Sequence, residues 1–160
     1  MDGFVVHALP VAGGILAIAP LPGLHGDYKG DLAHLRDWQP AMVITMMTLP
    51  ELVAHNTAQL GADISDMGSR WVHFPVEDFG IPDEPATREW RSTSKVALSA
   101  LKGGGRVLIH CRSGCGRSGM TALRLMIAAK EKPDIALERL RAVRPCAIET
   151  DEQMAWARSR

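Results

Sequence analysis

The segment HCRSGCGRSG, residues 110–119, brings two thiols, two guanidinium groups and three glycines into ten positions. The residues before it, 106–109, are typical of a strand entering a core, and those from Met120 onwards are typical of a buried helix. Glycines permit strained backbone angles that turn successive N–H groups inward, and such a ring before a helix N-terminus binds anions. Arg117 adds a planar fork of donors that matches two oxygens of a phosphate. The segment therefore predicts a site for a tetrahedral dianion.

Cys111 lies at the start of this loop, where the same N–H groups and the helix dipole would stabilise its thiolate. A thiolate facing a phosphate ester can attack phosphorus and form a phosphocysteine, which divides hydrolysis into two easier steps. Arg117 and the amides would stabilise the charge on the equatorial oxygens in both transition states. The Ser118 hydroxyl can donate to the sulfur and help it leave in the second step. We expect His110 to brace the loop through hydrogen bonds, with a packing role as the alternative.

The leaving group of this reaction needs a proton, so a carboxylic acid must lie opposite the thiolate. The loop after the strand predicted at 71–76 supplies four acids: Glu77, Asp78, Asp83 and Glu84. Asp78 is the first choice as general acid because Phe79-Gly80 follows it, where the loop can swing the side chain inward. Asp83, the second choice, is better placed to cap the following helix.

Strand and helix patterns alternate along the chain. We predict strands at 15–19, 42–46, 71–76 and 107–109, and an early strand with turns before residue 15. We predict helices from an N-cap at Asp31, over 49–60, over 87–101, from Ser118, and around 134–143 and 151–158. Strands separated by helices predict a single α/β domain over residues 1–160, with a mostly parallel sheet flanked by helices. Ligands of such sheets bind beyond the carboxyl ends of the strands, where the 110–119 segment lies.

The overall charge argues against nucleic-acid and membrane partners, because 18 Lys and Arg balance 18 Asp and Glu. No apolar run is long enough for a transmembrane helix. The apolar N-terminus lacks the positive charge of a signal peptide, so we expect a cytoplasmic protein. The histidines are scattered without ligand spacing, so neither a metal nor a cofactor is expected.

Three cysteines, an odd number at unsuitable positions, argue against a secreted disulfide framework. Cys146 is interpreted as a small packed residue. Cys115 has two interpretations: a small residue in a tight loop, or a partner that forms a reversible disulfide with Cys111 four positions away.

The chain resembles cysteine-dependent protein phosphatases of the dual-specificity group, in the protein tyrosine phosphatase superfamily. It is similar in particular to the kinase-associated phosphatase subgroup and its bacterial relatives. The segments that carry the resemblance are HCRSGCGRS at 110–118, FPVEDFGIPD at 74–83, AIETDEQ at 147–153 and LPG at 21–23. The likeness spans about residues 20 to 157 and implies a phosphatase-like catalytic domain of dual-specificity size.

The resemblance implies a role for each matching residue. Cys111 would be the nucleophile and Arg117 the phosphate clamp, while Asp78 would act first as the general acid and then as the base that activates water. Ser118 fits the family's hydroxyl. The phosphate-binding loop would comprise Arg112, Ser113, Gly114, Cys115, Gly116 and Arg117.

One motif departs from the family pattern. Phosphotyrosine phosphatases often carry Q-T-x-x-Q, whose first glutamine positions the hydrolytic water. Glu149 replaces that glutamine in this chain, and only Gln153 matches.

No segment resembles the substrate-depth loop of tyrosine-specific enzymes, which implies a shallow pocket for phosphoserine, phosphothreonine and phosphotyrosine. The expected partner is thus a phosphorylated protein, with a small phosphomonoester (phosphoinositide, sugar phosphate or nucleotide) as the alternative. Phosphoinositide-selective relatives commonly place lysines in the loop, where this chain has Arg112, Ser113 and Cys115. Arg112 is equally consistent with a substrate contact and with a solvated side chain. An inactive phosphate-binding module and a rhodanese-like sulfurtransferase are less favoured, the latter because Asp78 and Ser118 would have no role there.

Overall fold

A five-stranded sheet lies at the centre of residues 3–159, the part of the chain that the computed structural model describes. The strands are β1 (His7–Val11), β2 (Gly14–Ala19), β3 (Met42–Thr45), β4 (Arg70–His73) and β5 (Arg106–His110). Their order across the sheet is β1-β2-β5-β3-β4. β1 and β2 form an antiparallel hairpin, and the other three neighbouring pairs are parallel. The α/β class and the mostly parallel sheet predicted from the sequence are confirmed.

Helices cover both faces of this sheet. They are α1 (Tyr28–Trp38), α2 (Leu49–Ala54), α3 (Leu60–Asp66), α4 (Glu84–Lys102), α5 (Gly116–Ala128), α6 (Pro133–Val143) and α7 (Asp151–Arg158). Helices α4 to α7 supply one core and α1 to α3 the other. Successive side chains of a strand point to opposite faces, so Val107 and Ile109 of β5 enter the first core and Leu108 the second. This two-sided burial explains why the central strands are apolar throughout.

Several element boundaries differ from the sequence prediction. Asp27, not Asp31, caps α1, because the Asp27 carboxylate accepts a hydrogen bond from Gly30 N at 3.0 Å. Asp31 lies in the first turn and accepts from Gly23 N at 2.8 Å instead. The helix predicted over 49–60 is two helices, α2 and α3, and Asn56 between them has a left-handed φ of 58°.

The ends of the elements on either side of the predicted acid loop also differ from the sequence prediction. β4 ends at His73 rather than Val76, although Phe74 N still donates to Thr45 O, at the end of β3, and Val76 N donates to Met46 O just after it. Helix α4 begins three residues earlier than predicted, and Asp83 caps it by accepting from Ala86 N at 2.8 Å. The capping role expected for Asp83 is confirmed.

The carboxyl ends of β2, β3, β4 and β5 lie at one edge of the sheet. Backbone hydrogen bonds continue past that edge, from Met46 N to His110 O and from Leu21 N to Arg112 O, both 3.0 Å. The segment that follows β5 is therefore held on both sides. No helix within residues 3–159 combines the length and apolar character needed to cross a bilayer.

Candidate active site

The loop from Cys111 to Cys115 joins β5, the middle strand, to α5. Gly114 has a φ of +75°, and a Cβ built on it would lie 2.7 Å from the carbonyl carbon of Ala19. Only glycine fits this turn without strain. Among residues 3–159, the backbone N–H groups of residues 112–115 have no acceptor. The loop thus offers free donors at the N-terminus of α5, as an anion site requires.

Cys111 and Ser118 lie together at the base of the loop. The Cys111 side chain is buried and its thiol is free. Its Sγ atom is 3.3 Å from Oγ of Ser118, which is in the first turn of α5. The Ser118 hydroxyl can therefore donate to the sulfur when Cys111 is a thiolate.

Arg117 is 1% exposed and is held in place by Glu51 and by the backbone of Val76. Nη1 donates to Glu51 Oε1 at 2.7 Å and to Val76 O at 2.8 Å, and Nη2 donates to Glu51 Oε2 at 3.0 Å. This two-pronged pairing fixes the plane of the guanidinium group. Its Nε–H remains without an acceptor among the described residues, and one Nη2 hydrogen remains beside it.

The charges of Glu51 and Arg117 stabilise each other. Burial alone would raise the pKa of Glu51, but hydrogen bonds from Arg117 and Thr48 outweigh it, and the pKa lies below its usual value. Burial likewise opposes the charge of Arg117, and its pKa is nevertheless raised by Glu51, Cys111 and Asp78. Both side chains therefore stay ionised in the folded protein.

Asp78 extends toward Arg112 of the loop and Arg117 at the start of α5. Its Oδ1 atom is 3.5 Å from Arg117 Nη2, and its Oδ2 atom is 3.7 Å from Arg112 Nη2. Phe79 follows with a left-handed φ of 61° and donates its N–H to Asp78 Oδ1 at 3.1 Å. Glu77, the neighbouring acid, is exposed and forms no ion pair among residues 3–159. The acid loop thus brings Asp78, rather than Glu77 or Asp83, to the loop of Cys111.

His110 connects the loop to β3 and β4. Its Nδ1 faces the carbonyl of Cys111 at 3.2 Å, so Nδ1 carries the hydrogen and Nε2 accepts from Thr45 Oγ1 at 2.7 Å. Trp71 Nε1 donates to the same Thr45 oxygen at 2.8 Å. Burial, with smaller effects from the charges of Arg117 and His73, lowers the pKa of His110 to about 4, against the opposing hydrogen bond to Cys111. His110 is therefore neutral. Its hydrogen bonds to Cys111 and Thr45 agree with the expected bracing role rather than with packing alone.

Glu149 and Gln153 lie over the first residue of α5. A Cβ on Gly116 would collide with the Glu149 carboxylate and with the Gln153 amide. Gln153 is fully buried, and its Oε1 accepts from the backbone N–H groups of Glu149 and Thr150 at 2.9 and 3.2 Å. Its Nε2 donates to Gly80 O at 3.2 Å, so Gln153 ties the N-terminus of α7 to the acid loop.

Neither of the two interpretations of Cys115, a small residue in a tight loop or a disulfide partner of Cys111, describes its bonding in the structure. Cys115 forms a disulfide with Cys146, which lies in the segment between α6 and α7. Cys111 is the free cysteine. The interpretation of Cys146 as a merely packed residue also fails, because Cys146 is exposed and bonded to the loop. Their separation of 31 positions gives no local sign of this contact.

Sequence reasoning also missed Glu51 and Arg144. Glu51 closes a capping box with Thr48 at the start of α2, directly after β3. The T-x-x-E pattern after a buried strand, at the edge where the loop was expected, was a usable signal. Arg144 donates to Ser113 O at 2.9 Å and to Gly114 O at 3.2 Å. It follows the end of α6, and no pattern in the sequence distinguishes it from the arginines within that helix.

Known proteins resemble this chain in sequence and in fold. The sequence model of the family described as "Protein-tyrosine phosphatase" matches residues 67–159, which include both Asp78 and the Cys111 loop. The chain belongs to this family, within its cysteine-dependent dual-specificity group. It is 30% identical over 145 residues to Cyclin-dependent kinase inhibitor 3 of Mus musculus, covering 86% of this chain and 67% of that protein.

Solved structures of the family share its fold. A kinase associated phosphatase whose catalytic-site cysteine is replaced by serine has a TM-score of 0.85 at 23% identity, covering 99% of this chain and 94% of that one. Tk-PTP in its active form has a TM-score of 0.73 at 26% identity, covering 94% of this chain and 92% of that one. The family predicted from the loop motif and the acid loop is confirmed. Glu51 lies outside the residues that the family model matches.

Proposed function

We propose that this chain is a metal-independent phosphatase that hydrolyses phosphomonoesters through a phosphocysteine, with phosphorylated proteins as its substrates. The observation that carries the proposal is the convergence of three groups on one loop. The free thiol of Cys111 lies at its base, the fixed guanidinium of Arg117 at its end, and Asp78 3.5 Å from that guanidinium.

The first step is attack by the Cys111 sulfur on phosphorus. The N–H groups of residues 112–115, which have no acceptor in the described part of the chain, and the N-terminus of α5 would hold the phosphate oxygens and favour the thiolate. The phosphorus–oxygen bond of the ester breaks as the sulfur–phosphorus bond forms. The phosphoryl group is then carried by Cys111.

Arg117 has the donors that this step requires. Glu51 and Val76 occupy three of its five N–H groups. The Nε–H and one Nη2 hydrogen remain, and these neighbouring donors form the edge that can bind two phosphate oxygens together. Because Glu51 fixes the guanidinium beforehand, this edge needs little reorganisation when substrate binds.

Asp78 is the proposed proton donor. Its carboxylate lies 3.5 Å from Arg117 and 3.7 Å from Arg112. A bound phosphate dianion would take over the Arg117 donors and favour the protonated acid, which then gives its proton to the leaving oxygen. In the second step, Asp78 removes a proton from the attacking water, and Ser118 Oγ, 3.3 Å from the sulfur, supports the departing thiolate.

The open rim of the site favours a protein substrate. Phe79 beside Asp78 is 56% exposed and Ile81 is 39% exposed, so the acid loop presents apolar surface next to the phosphate site. Such a rim can contact peptide flanking a phosphorylated side chain. It supports phosphotyrosine together with phosphoserine and phosphothreonine as substrates, within one catalytic domain. The cytoplasmic location stays a prediction from the sequence.

The test measures hydrolysis of p-nitrophenyl phosphate in EDTA, followed by a panel of phosphopeptides, phosphoinositides, sugar phosphates and nucleotides. Wild type should release phosphate, and Cys111→Ser should be inactive. An exposed carboxylate of the same loop provides a matched control, so Glu77→Gln should keep wild-type turnover. Activity that survives Cys111→Ser, or that needs a metal, would contradict the mechanism. A preference for a phosphoinositide or metabolite over every phosphopeptide would contradict the substrate class alone.

A further inference from the structure

The disulfide between Cys115 and Cys146 connects the phosphate loop to the segment that precedes Glu149. We propose that this disulfide is a thiol–disulfide exchange site through which a dithiol reductant lowers the activity of the phosphatase. The regulatory part of the proposal rests on the proposed function. In the cytoplasm, where the sequence predicts this protein, disulfides are usually transient and redox-responsive rather than structural.

The two sulfur atoms differ in accessibility. Cys115 is 8% exposed, whereas Cys146 is exposed on the surface. An incoming thiolate must approach a disulfide sulfur directly, so attack is directed to Cys146. Cys111 is 2% exposed and holds no disulfide, so the nucleophile is not part of this exchange.

Arg144 makes Cys115 the better leaving group. Its Nη2 lies 3.6 Å from Cys115 Sγ, close enough to stabilise a thiolate there. A thiolate with a nearby cation leaves faster than an exposed one without it. Accessibility and leaving-group charge therefore select the same direction of exchange.

The exchange consumes one dithiol. Its thiolate attacks Cys146 Sγ, the sulfur–sulfur bond breaks, and Cys115 leaves as a thiolate. The second thiol of the reductant then attacks the reductant's sulfur in the mixed disulfide, and Cys146 is released. Two electrons pass to the protein, the reductant becomes a disulfide, and its two protons end on the two cysteines or in solvent.

When the disulfide is formed, the phosphate loop is held by the segment between α6 and α7. Arg144 donates to the carbonyls of Ser113 and Gly114, and Ile148 N donates to Cys115 O at 3.1 Å. The disulfide is the covalent part of this attachment. Carbonyls held from outside leave the loop's N–H groups facing the phosphate site. Reduction removes the covalent part, so the loop gains freedom, and the free energy of ordering it must be supplied when phosphate binds.

The experiment compares the protein equilibrated with reduced dithiothreitol and with its oxidised cyclic form. Alkylation followed by intact mass counts the accessible thiols after denaturation: Cys111 alone in the oxidised protein, and all three cysteines in the reduced one. Calorimetry then measures the affinity for inorganic phosphate. We expect reduction of the native protein to weaken that affinity roughly threefold to tenfold, because small misplacements of binding groups have effects of this order or larger. kcat/KM for p-nitrophenyl phosphate should fall with it, and reoxidation should restore both.

Three variants separate the possible explanations. Cys146→Ser should show the weaker affinity in both buffers. Cys111→Ser should keep the response of phosphate affinity while lacking turnover, which separates the exchange site from the proposed function. Arg144→Gln should slow reduction several-fold and Arg144→Lys should retain most of the rate; faster reduction in Arg144→Gln would mean that Arg144 only shields the disulfide and would overturn its role.

Two results would overturn the proposal. A disulfide that dithiothreitol reduces only after denaturation is structural and not an exchange site. Equal phosphate affinity in the two redox states would remove its effect on the loop. A phosphate affinity that responds to reduction, in a protein that hydrolyses no phosphomonoester, would instead support the exchange site and contradict the proposed function.

Discussion

Glu51 and Arg117 are 66 positions apart in the chain and join through two hydrogen bonds, of 2.7 and 3.0 Å. This pair links α2 to the first turn of α5 and fixes the guanidinium, while its Nε–H and one Nη2 hydrogen have no hydrogen-bond acceptor within residues 3–159. In the proposed reaction Glu51 therefore acts through Arg117, as a positioning residue rather than as a group that contacts the substrate.

Replacing Glu51 with alanine should reduce both activity and stability. Arg117 is 1% exposed and would lose the carboxylate that pairs with it most closely. The poorly compensated buried charge costs about 3 kcal/mol in unfolding free energy. kcat/KM should fall by roughly 10- to 100-fold, because the fork would no longer be held in one plane. Denaturant unfolding and steady-state kinetics measure the two effects. Glu51→Gln keeps one acceptor and should recover part of each; wild-type kcat/KM in Glu51→Ala would contradict the positioning role.

Asp78→Asn should affect substrates according to their leaving groups. An amide cannot donate a proton as a carboxylic acid does, and general acid catalysis contributes typically 10²- to 10⁴-fold. Hydrolysis of an alkyl phosphate such as phosphoserine peptide should therefore fall by roughly 10²-fold or more, and p-nitrophenyl phosphate, whose leaving group needs little protonation, should be affected less. Glu77→Gln provides the control with the same loss of charge one position away. Equal losses on both substrates would show that Asp78 binds rather than protonates.

Removal of the Ser118 hydroxyl should slow the second chemical step. The hydroxyl lies 3.3 Å from Cys111 Sγ, and a hydrogen bond to a charged group is worth enough for a loss of roughly tenfold or more. Ser118→Ala should therefore accumulate phosphocysteine, seen as a burst of nitrophenol in rapid-mixing experiments. Thr121→Val removes a hydroxyl one turn further along α5, where it bonds to Arg117 O, and should show no burst. A Ser118→Ala variant without a burst would mean that the hydroxyl does not assist the departing thiolate.

The free energy of unfolding should fall as the pH decreases from about 6.5 to about 4. These limits are the ordinary pKa of histidine and the lowered pKa of His110 in the folded protein. The unfolded chain takes up a proton on this histidine near pH 6.5, but the folded chain does so only near pH 4. The contribution of neutral His110 is thus complete above pH 6.5 and is lost toward pH 4, by up to about 3 kcal/mol. Denaturant unfolding across this range should show a slope that His110→Gln reduces. An NMR titration of the wild type gives a direct check, because an imidazole that titrates near pH 6.5 would contradict its burial.

The central part of the fold was predictable because its signals are local. β5, the glycine turn and the apolar α5 are adjacent in sequence, and their residue types alone indicate strand, turn and buried helix. The position of Asp78 beside Arg117 followed from chemistry, since the proposed reaction needs an acid and the loop after β4 supplies one. Asp83 was separated from it correctly by its capping position ahead of α4.

The contacts that were missed depend on distant segments. Asp27 and Asp31 both suit an N-cap, and the turn at Gly23 decides between them by taking the Asp31 carboxylate. Cys146 and Arg144 reach the loop only because α6 packs against α5 and returns the chain beside Cys115. A sequence pattern describes periodicity and spacing, and neither shows that the chain comes back beside Cys115 after α6.

The position of β5 in the sheet has a consequence for how activity is lost. As the third of five strands it is paired on both edges, by β2 and β3. Strands of this kind open only with the whole molecule, whereas short peripheral helices such as α2, with six residues, open in smaller fluctuations. Mild denaturant should therefore release Glu51 from Arg117 while Cys111 is still enclosed. The protein would then become inactive before it unfolds, and activity would return without any refolding of the sheet.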